Sequence, residues 1–93
     1  MIHDHSLLSI NDSDTGHYWV NTEHSSYEVD LTKRTIRRTS TMNALRGDDG
    51  PVELLSVGRC EVGKAAVFYL VGLADGAVTE RVTTVVQSIE RAA

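Results

Sequence analysis

Apolar and polar residues alternate with a period of two in three successive runs. These are Tyr18-Trp19-Val20-Asn21-Thr22, Tyr27-Glu28-Val29-Asp30-Leu31 and Thr35-Ile36-Arg37-Arg38. Such alternation predicts half-buried antiparallel strands. A tight turn at His24-Ser25 sets Thr22 opposite Tyr27, Val20 opposite Val29 and Tyr18 opposite Leu31. A second turn at Thr32-Lys33 sets Val29 opposite Ile36 and Glu28 opposite Arg37. One face of this meander then collects Tyr18, Val20, Val29, Leu31 and Ile36, and the reverse collects Trp19, Asn21, Glu28, Asp30, Thr35 and Arg37. A slip of one residue would drive Glu28 and Asp30 into the core, so the pattern specifies the faces.

Downstream, Gly47-Asp48-Asp49-Gly50-Pro51 ends a predicted loop. Val52 to Val57 reads as a strand whose alternation breaks at Leu54-Leu55, the mark of a β-bulge. Ala65 to Leu73 is apolar on both faces and is predicted to be a central strand. Asp75-Gly76 is the best hairpin signal in the chain. It pairs Leu73 with Val78, Tyr69 with Val82, Val67 with Thr84 and Ala65 with Val86. On that register Ala66, Phe68 and Leu70 form an apolar reverse face beside Arg81, Thr83 and Val85. That face is either a second core layer or an oligomer contact. Val78, Val82, Val85, Val86 and Ile89 also fit the stripe of an amphipathic helix. Seven valines and threonines between Val78 and Gln87, together with the Asp-Gly turn, favour a strand.

These elements predict an all-β fold: a small antiparallel barrel or sandwich of about five to six strands, built from a three-stranded meander and a C-terminal hairpin. Valine, threonine and isoleucine fill 24 of the 93 positions, which suits pleated surfaces. The length suits one domain, expected over residues 17–89, with a flexible segment 1–16 and a tail 90–93. A short strand within Leu7–Ile10 would cover a sheet edge. Residues 1–16 lack a basic segment followed by a long apolar run, and Ala65 to Ala74 is too short to span a bilayer. The expectation is a cytoplasmic protein with no membrane contact.

Net charge is −4, which argues against nucleic acid as the main partner. The charges are nevertheless segregated. Residues 1–30 hold six acids, four histidines and no lysine or arginine, whereas 31–46 hold Lys33, Arg34, Arg37, Arg38 and Arg46 with no acid. Cross-strand pairing of opposite charges accounts for this arrangement. The alternative is a small nucleic-acid-binding barrel, with those five basic residues on phosphates and Trp19 or Tyr18 stacking on bases.

Catalytic chemistry finds little purchase. His3, Asp4 and His5 with His17 or His24 match no closed metal site, so no metal and no cofactor is expected. Cys60, the only cysteine, has no histidine near it in sequence and reads as a buried thiol. Glu28 and Asp30 share a face, but Arg37 lies opposite Glu28, which makes a surface ion pair rather than an acid–base dyad. The chain is expected not to be an enzyme. Trp19 stands out: among Asn21, Glu28 and Arg37 it resembles a binding hot spot, unless the N-terminal segment or the 40–50 loop covers it.

The run His17-Tyr-Trp-Val-Asn-Thr-Glu-His-Ser-Ser-Tyr-Glu-Val-Asp-Leu31, with Arg37-Arg38, Leu45-Arg46 and Arg81-Val-Thr-Thr-Val-Val86, resembles short β-rich proteins of unknown function encoded by actinobacteria and their phages, including mycobacteriophages. The resemblance covers roughly residues 17–89 as spaced single residues and transfers no catalytic group. It implies a phage-type protein that binds and modulates a host bacterial protein. The expected function is therefore a non-enzymatic protein-interaction module. One candidate surface is Trp19, Asn21, Glu28 and Arg37; the other is Phe68, Leu70 and Arg81. A second copy could also pair through an edge strand or through the Phe68/Leu70 face.

Overall fold

The computed structural model describes residues 6–39, 51–72 and 76–92. It is all-β: β1 (Ser6–Leu7), β2 (His17–Thr22), β3 (Ser26–Asp30), β4 (Thr35–Thr39), β5 (Val52–Arg59), β6 (Ala65–Val71) and β7 (Val78–Arg91). Strands β2 to β7 pair antiparallel in sequence order, and β7 pairs with both β6 and β2, so six strands close a small barrel. β1 adds Ser6 and Leu7 to β7 at Glu90 and Ile89. No helix among the described residues is long and apolar enough to cross a membrane.

The meander folds as its alternation requires. Tyr18, Val20, Val29, Leu31 and Ile36 are all buried, and the intervening residues of β2 and β3 are half-buried on the outside. The first hairpin turns one residue earlier than the sequence suggests, at Glu23-His24, which shifts the register by two and sets Val20 opposite Tyr27 and Tyr18 opposite Val29. Thr22 and Ser25 account for this placement of the turn. The Thr22 N–H and hydroxyl both donate to the Ser25 carbonyl at 2.8 Å, and the Ser25 N–H donates to Thr22 Oγ1 at 3.1 Å. A two-residue shift preserves the faces. The second register, with Glu28 opposite Arg37 and Val29 opposite Ile36, is as expected. Its loop, Leu31 to Arg34, is shaped by Asp30, whose Oδ1 accepts from the Thr32 and Lys33 amides at 3.0 and 2.8 Å.

The Phe68/Leu70 surface does not exist. Phe68 is fully buried and Leu70 nearly so, with Ala66 beside them, and they point into the barrel. Tyr27 of β3 meets Phe68 across the interior with ring centroids 6.1 Å apart. The C-terminal hairpin is also two residues off the expected register, with Val71 opposite Val78 and Val67 opposite Val82. Because β6 is apolar on both faces, alternation carried no sign of which face was inside. Closure decided it, because the only phenylalanine fills the centre. β6 is the central strand expected, flanked by β5 and β7.

β5 and β7 bend around β6 by means of bulges. The β5–β6 register shifts between Leu54 and Ser56 and again between Val57 and Arg59. The β6–β7 register shifts at Ala65/Val67, and the β2–β7 register at Asn21/Thr22. The inward residues consequently fall every third position: Leu54, Val57 and Cys60 on β5 and just beyond it, and Thr83, Val86 and Ile89 on β7. The bulge expected at Leu54-Leu55 is there.

One end of the barrel is stoppered by residues 8–12, so this part of the N-terminal segment belongs to the domain. Ile10 is buried and its N–H donates to the Cys60 carbonyl at 3.0 Å, while the Val62 N–H donates to the Leu8 carbonyl at 2.9 Å. Glu90 and Arg91, expected in a tail, are the last residues of β7.

At Gly58 an added Cβ would lie 2.8 Å from Cε2 of Tyr69, whose ring covers this stretch of β5. Gly58→Ala is expected to destabilise the fold by about 1–3 kcal/mol through overpacking. Combining it with Tyr69→Ala should recover part of that loss, which urea unfolding of the four-member mutant cycle measures directly.

Candidate interaction face

β2 and β4 present their odd-numbered side chains outward and β3 its even-numbered ones, forming three cross-strand rows. The central row runs Glu90, Trp19, Glu28, Arg37 across β7, β2, β3 and β4. Below it lie His17, Asp30, Thr35 and Glu53, and above it Ser88, Asn21, Ser26 and Thr39. The four residues Trp19, Asn21, Glu28 and Arg37 are therefore neighbours on one surface.

Glu28 organises the lower half of this surface. Its Oε2 lies 2.7 Å from His17 Nε2, and its Oε1 lies 2.7 Å from an Arg37 Nη2. The carboxylate is held from both sides by partners on the adjacent strands, and its side chain keeps only a quarter of its exposure. Arg37 Nε is shielded from solvent and has no acceptor. His17, Glu28, Asp30, Lys33, Thr35, Arg37 and Pro51 line an open groove of about 470 Å³. Asn21 is fixed in the same manner: its Nδ2 donates to Ser88 Oγ at 2.9 Å, and Ser26 Oγ donates to its Oδ1 at 2.8 Å. In sequence His17 is weighed only as a metal ligand, not as part of this face. The available signal was its parity, two residues before Trp19 on the same alternating strand.

Trp19 is half-buried and stands outside the packed core. Its neighbours across the strands are Glu28 and Glu90. The 40–50 loop, offered in sequence as a cover for it, lies outside the described residues, as do His3, Asp4, His5 and Arg46.

The described residues of the basic segment do not form one surface. Strand alternation sends Arg37 outward and Arg38 to the barrel mouth, where Arg38 Nε donates to Ser25 Oγ at 3.3 Å. Arg34 takes a left-handed backbone (φ 59°) and turns back to the stopper. Its guanidinium donates to the Asp12 carbonyl and carboxylate at 3.1 and 2.6 Å and to the Leu55 carbonyl at 3.0 Å. The Arg34 hydrogen bond, aided by the Val57 amide, holds the Asp12 carboxyl below its ordinary range. Arg34 is thus a structural clamp, and among the described basic residues of this segment Lys33 is the one whose side chain makes no hydrogen bond or ion pair. Arg81 sits opposite Phe68 and lines a water-sized cavity of about 20 Å³ with Tyr27, Ile36, Arg38, Val52 and Leu70, away from the Trp19 face.

Cys60 is buried, and burial pushes its thiol up to about 12. That is the reverse of what a nucleophilic thiolate requires. Among the described residues no three histidine, cysteine, aspartate or glutamate side chains converge as a metal site; His17 begins β2 and His24 lies in the turn beyond its far end. No protein-family model matches the chain, and comparison with curated proteins and with solved structures finds no match.

Two outcomes follow from these placements. Trp19→Ala should keep the fold and cost no more than about 1 kcal/mol, the scale of a cross-strand pair. Phe68→Ala should cost about 3–5 kcal/mol. Chemical denaturation of the two variants tests this contrast. Iodoacetamide should alkylate native Cys60 at pH 8 far more slowly than the urea-unfolded chain, since the buried thiol stays protonated. Equal rates would contradict the buried placement.

Proposed function

We propose that this protein is a non-enzymatic protein-interaction module whose contact face is Trp19 with Asn21, Glu28 and Arg37. The observation that carries this reading is the position of Trp19: outside the barrel core, on a face whose polar groups are already held in place. A rigid aromatic among pre-ordered hydrogen-bonding groups loses little conformational freedom on binding, which is the property that makes tryptophan a frequent energetic centre of interfaces. Glu28 and Arg37 neutralise each other, so the face favours a partner read by shape and hydrogen bonds over one read by net charge. The resemblance to actinobacterial and phage proteins makes a host bacterial protein the partner class to test first.

A nuclease-treated pull-down from actinobacterial lysate, with folded Trp19→Ala as the matched bait, tests the proposal. The expected result is a host protein retained by the wild type and lost by the variant. Equal retention by both baits, or capture that vanishes with nuclease, would overturn it.

A further inference from the structure

The barrel is closed along only part of β7. Its second half, from Val86, has β2 on one side, and the last contact on that side is the Glu23 N–H donating to the Val85 carbonyl at 3.2 Å. The first half, Val78 to Thr84, pairs with β6 alone. The Gly72 N–H donates to the Ala77 carbonyl at 2.7 Å, which makes that pair a hydrogen-bonded one. In an antiparallel ladder hydrogen-bonded and non-bonded pairs alternate, so Val78, Glu80 and Val82 direct their N–H and C=O groups away from β6. Among the described residues nothing meets them. The five residues 78–82 offer about 17 Å of open strand edge, with no proline or lysine to protect it.

The side chains along this edge are exposed: Val78 57%, Val82 59%, with Glu80 exposed between them. Tyr69 donates its hydroxyl to Glu80 Oε2 at 3.3 Å from the neighbouring strand. The edge therefore reads apolar, acidic, apolar.

A second copy of this chain fits it poorly. Groups that point outward must pair with groups that point outward, so a two-fold axis must pass through a residue. The register that pairs all of 78–82 centres on Glu80 and sets it against its own copy. The next centres on Arg81 and does the same with that charge. Like charges directly opposite destabilise a sheet. The register centred on Thr79 sets Val82 opposite Gly76, whose N–H already donates to the Gly72 carbonyl at 3.1 Å, and registers centred beyond Arg81 run into the bulge that follows Val82.

We infer that the free edge of β7 accepts an extended segment of another protein by strand addition, a segment carrying a basic residue between two β-branched apolar residues. The basic side chain lies opposite Glu80, and the apolar pair lies opposite Val78 and Val82. This surface is separate from the Trp19 face, and its success or failure leaves that proposal standing.

The test titrates the ¹⁵N-labelled protein with the capped peptide Thr-Val-Thr-Lys-Thr-Val-Thr and with its Lys-to-Glu counterpart at low salt. The expected result is shifts confined to residues 78–85, with slowed exchange of the Val78, Glu80 and Val82 amides. The lysine peptide should bind about two- to fivefold more tightly, the size of a cross-strand charge pair. Glu80→Lys should reverse that preference. Val82→Pro, which removes one outward N–H without touching a β6 bond, should abolish binding. Absence of shifts at millimolar peptide, shifts elsewhere, or equal affinity for the two peptides would overturn the inference. So would a concentration-dependent dimer that Val82→Pro dissolves.

Discussion

A sheet of six strands keeps two raw edges unless its first and last strands meet, and here that meeting falls to β7. Fourteen residues long, it serves β6 with its first half and β2 with its second. The hand-over needs a change in the direction of its side chains, because a strict period of two would turn every second inward residue out once the strand bends. Two register shifts supply that change and place Thr83, Val86 and Ile89 inside in turn. Tyr27 and Phe68 then meet across the interior, and the stopper containing Ile10 and the Asp12–Arg34 clamp seals one end.

The same constraint creates both surfaces argued for above. Because closure uses the alternate residues of β2 and β3, Trp19 and its polar row are left outside on a backbone held on both sides. Because β2 ends at Thr22 while β7 continues back to Val78, closure is incomplete on one side of β7. The first surface is rigid and polar around a single aromatic, and the second is a backbone edge with an alternating valine stripe. Their chemistry is different enough that the two proposals call for different classes of ligand.

The basic segment shows how far sequence proximity can mislead about function, whereas the Cys60 thiol is buried as its sequence context suggests. Cys60 falls at an inward position just beyond β5, so its burial follows from the spacing Leu54, Val57, Cys60 and raises its pKa. Five basic residues within sixteen suggest a patch, yet alternation along β4 separates Arg37 from Arg38. The turn before β4 sends Arg34 to Asp12 instead.

What the residues determined alone is the meander. A clean period of two with acids on one face leaves a single set of inward side chains, and moving the first turn by one residue shifts the register by two without changing a face. β6 could not be oriented in this way, because Ala66, Phe68 and Leu70 alternate with Ala65, Val67, Tyr69 and Val71, a set with no charged residue to mark the outer face. Only the tertiary structure decided that face, through the volume Phe68 fills at the centre of the barrel. Tertiary structure also decided the inward face of β7: Val78, Val82 and Val85, three of the five residues of the apparent helical stripe, are exposed, and Thr83, Val86 and Ile89 are buried. Two bulges stretch the inward spacing from two to three, and a bulge is set by the curvature of the closing sheet, which no local run of residues contains.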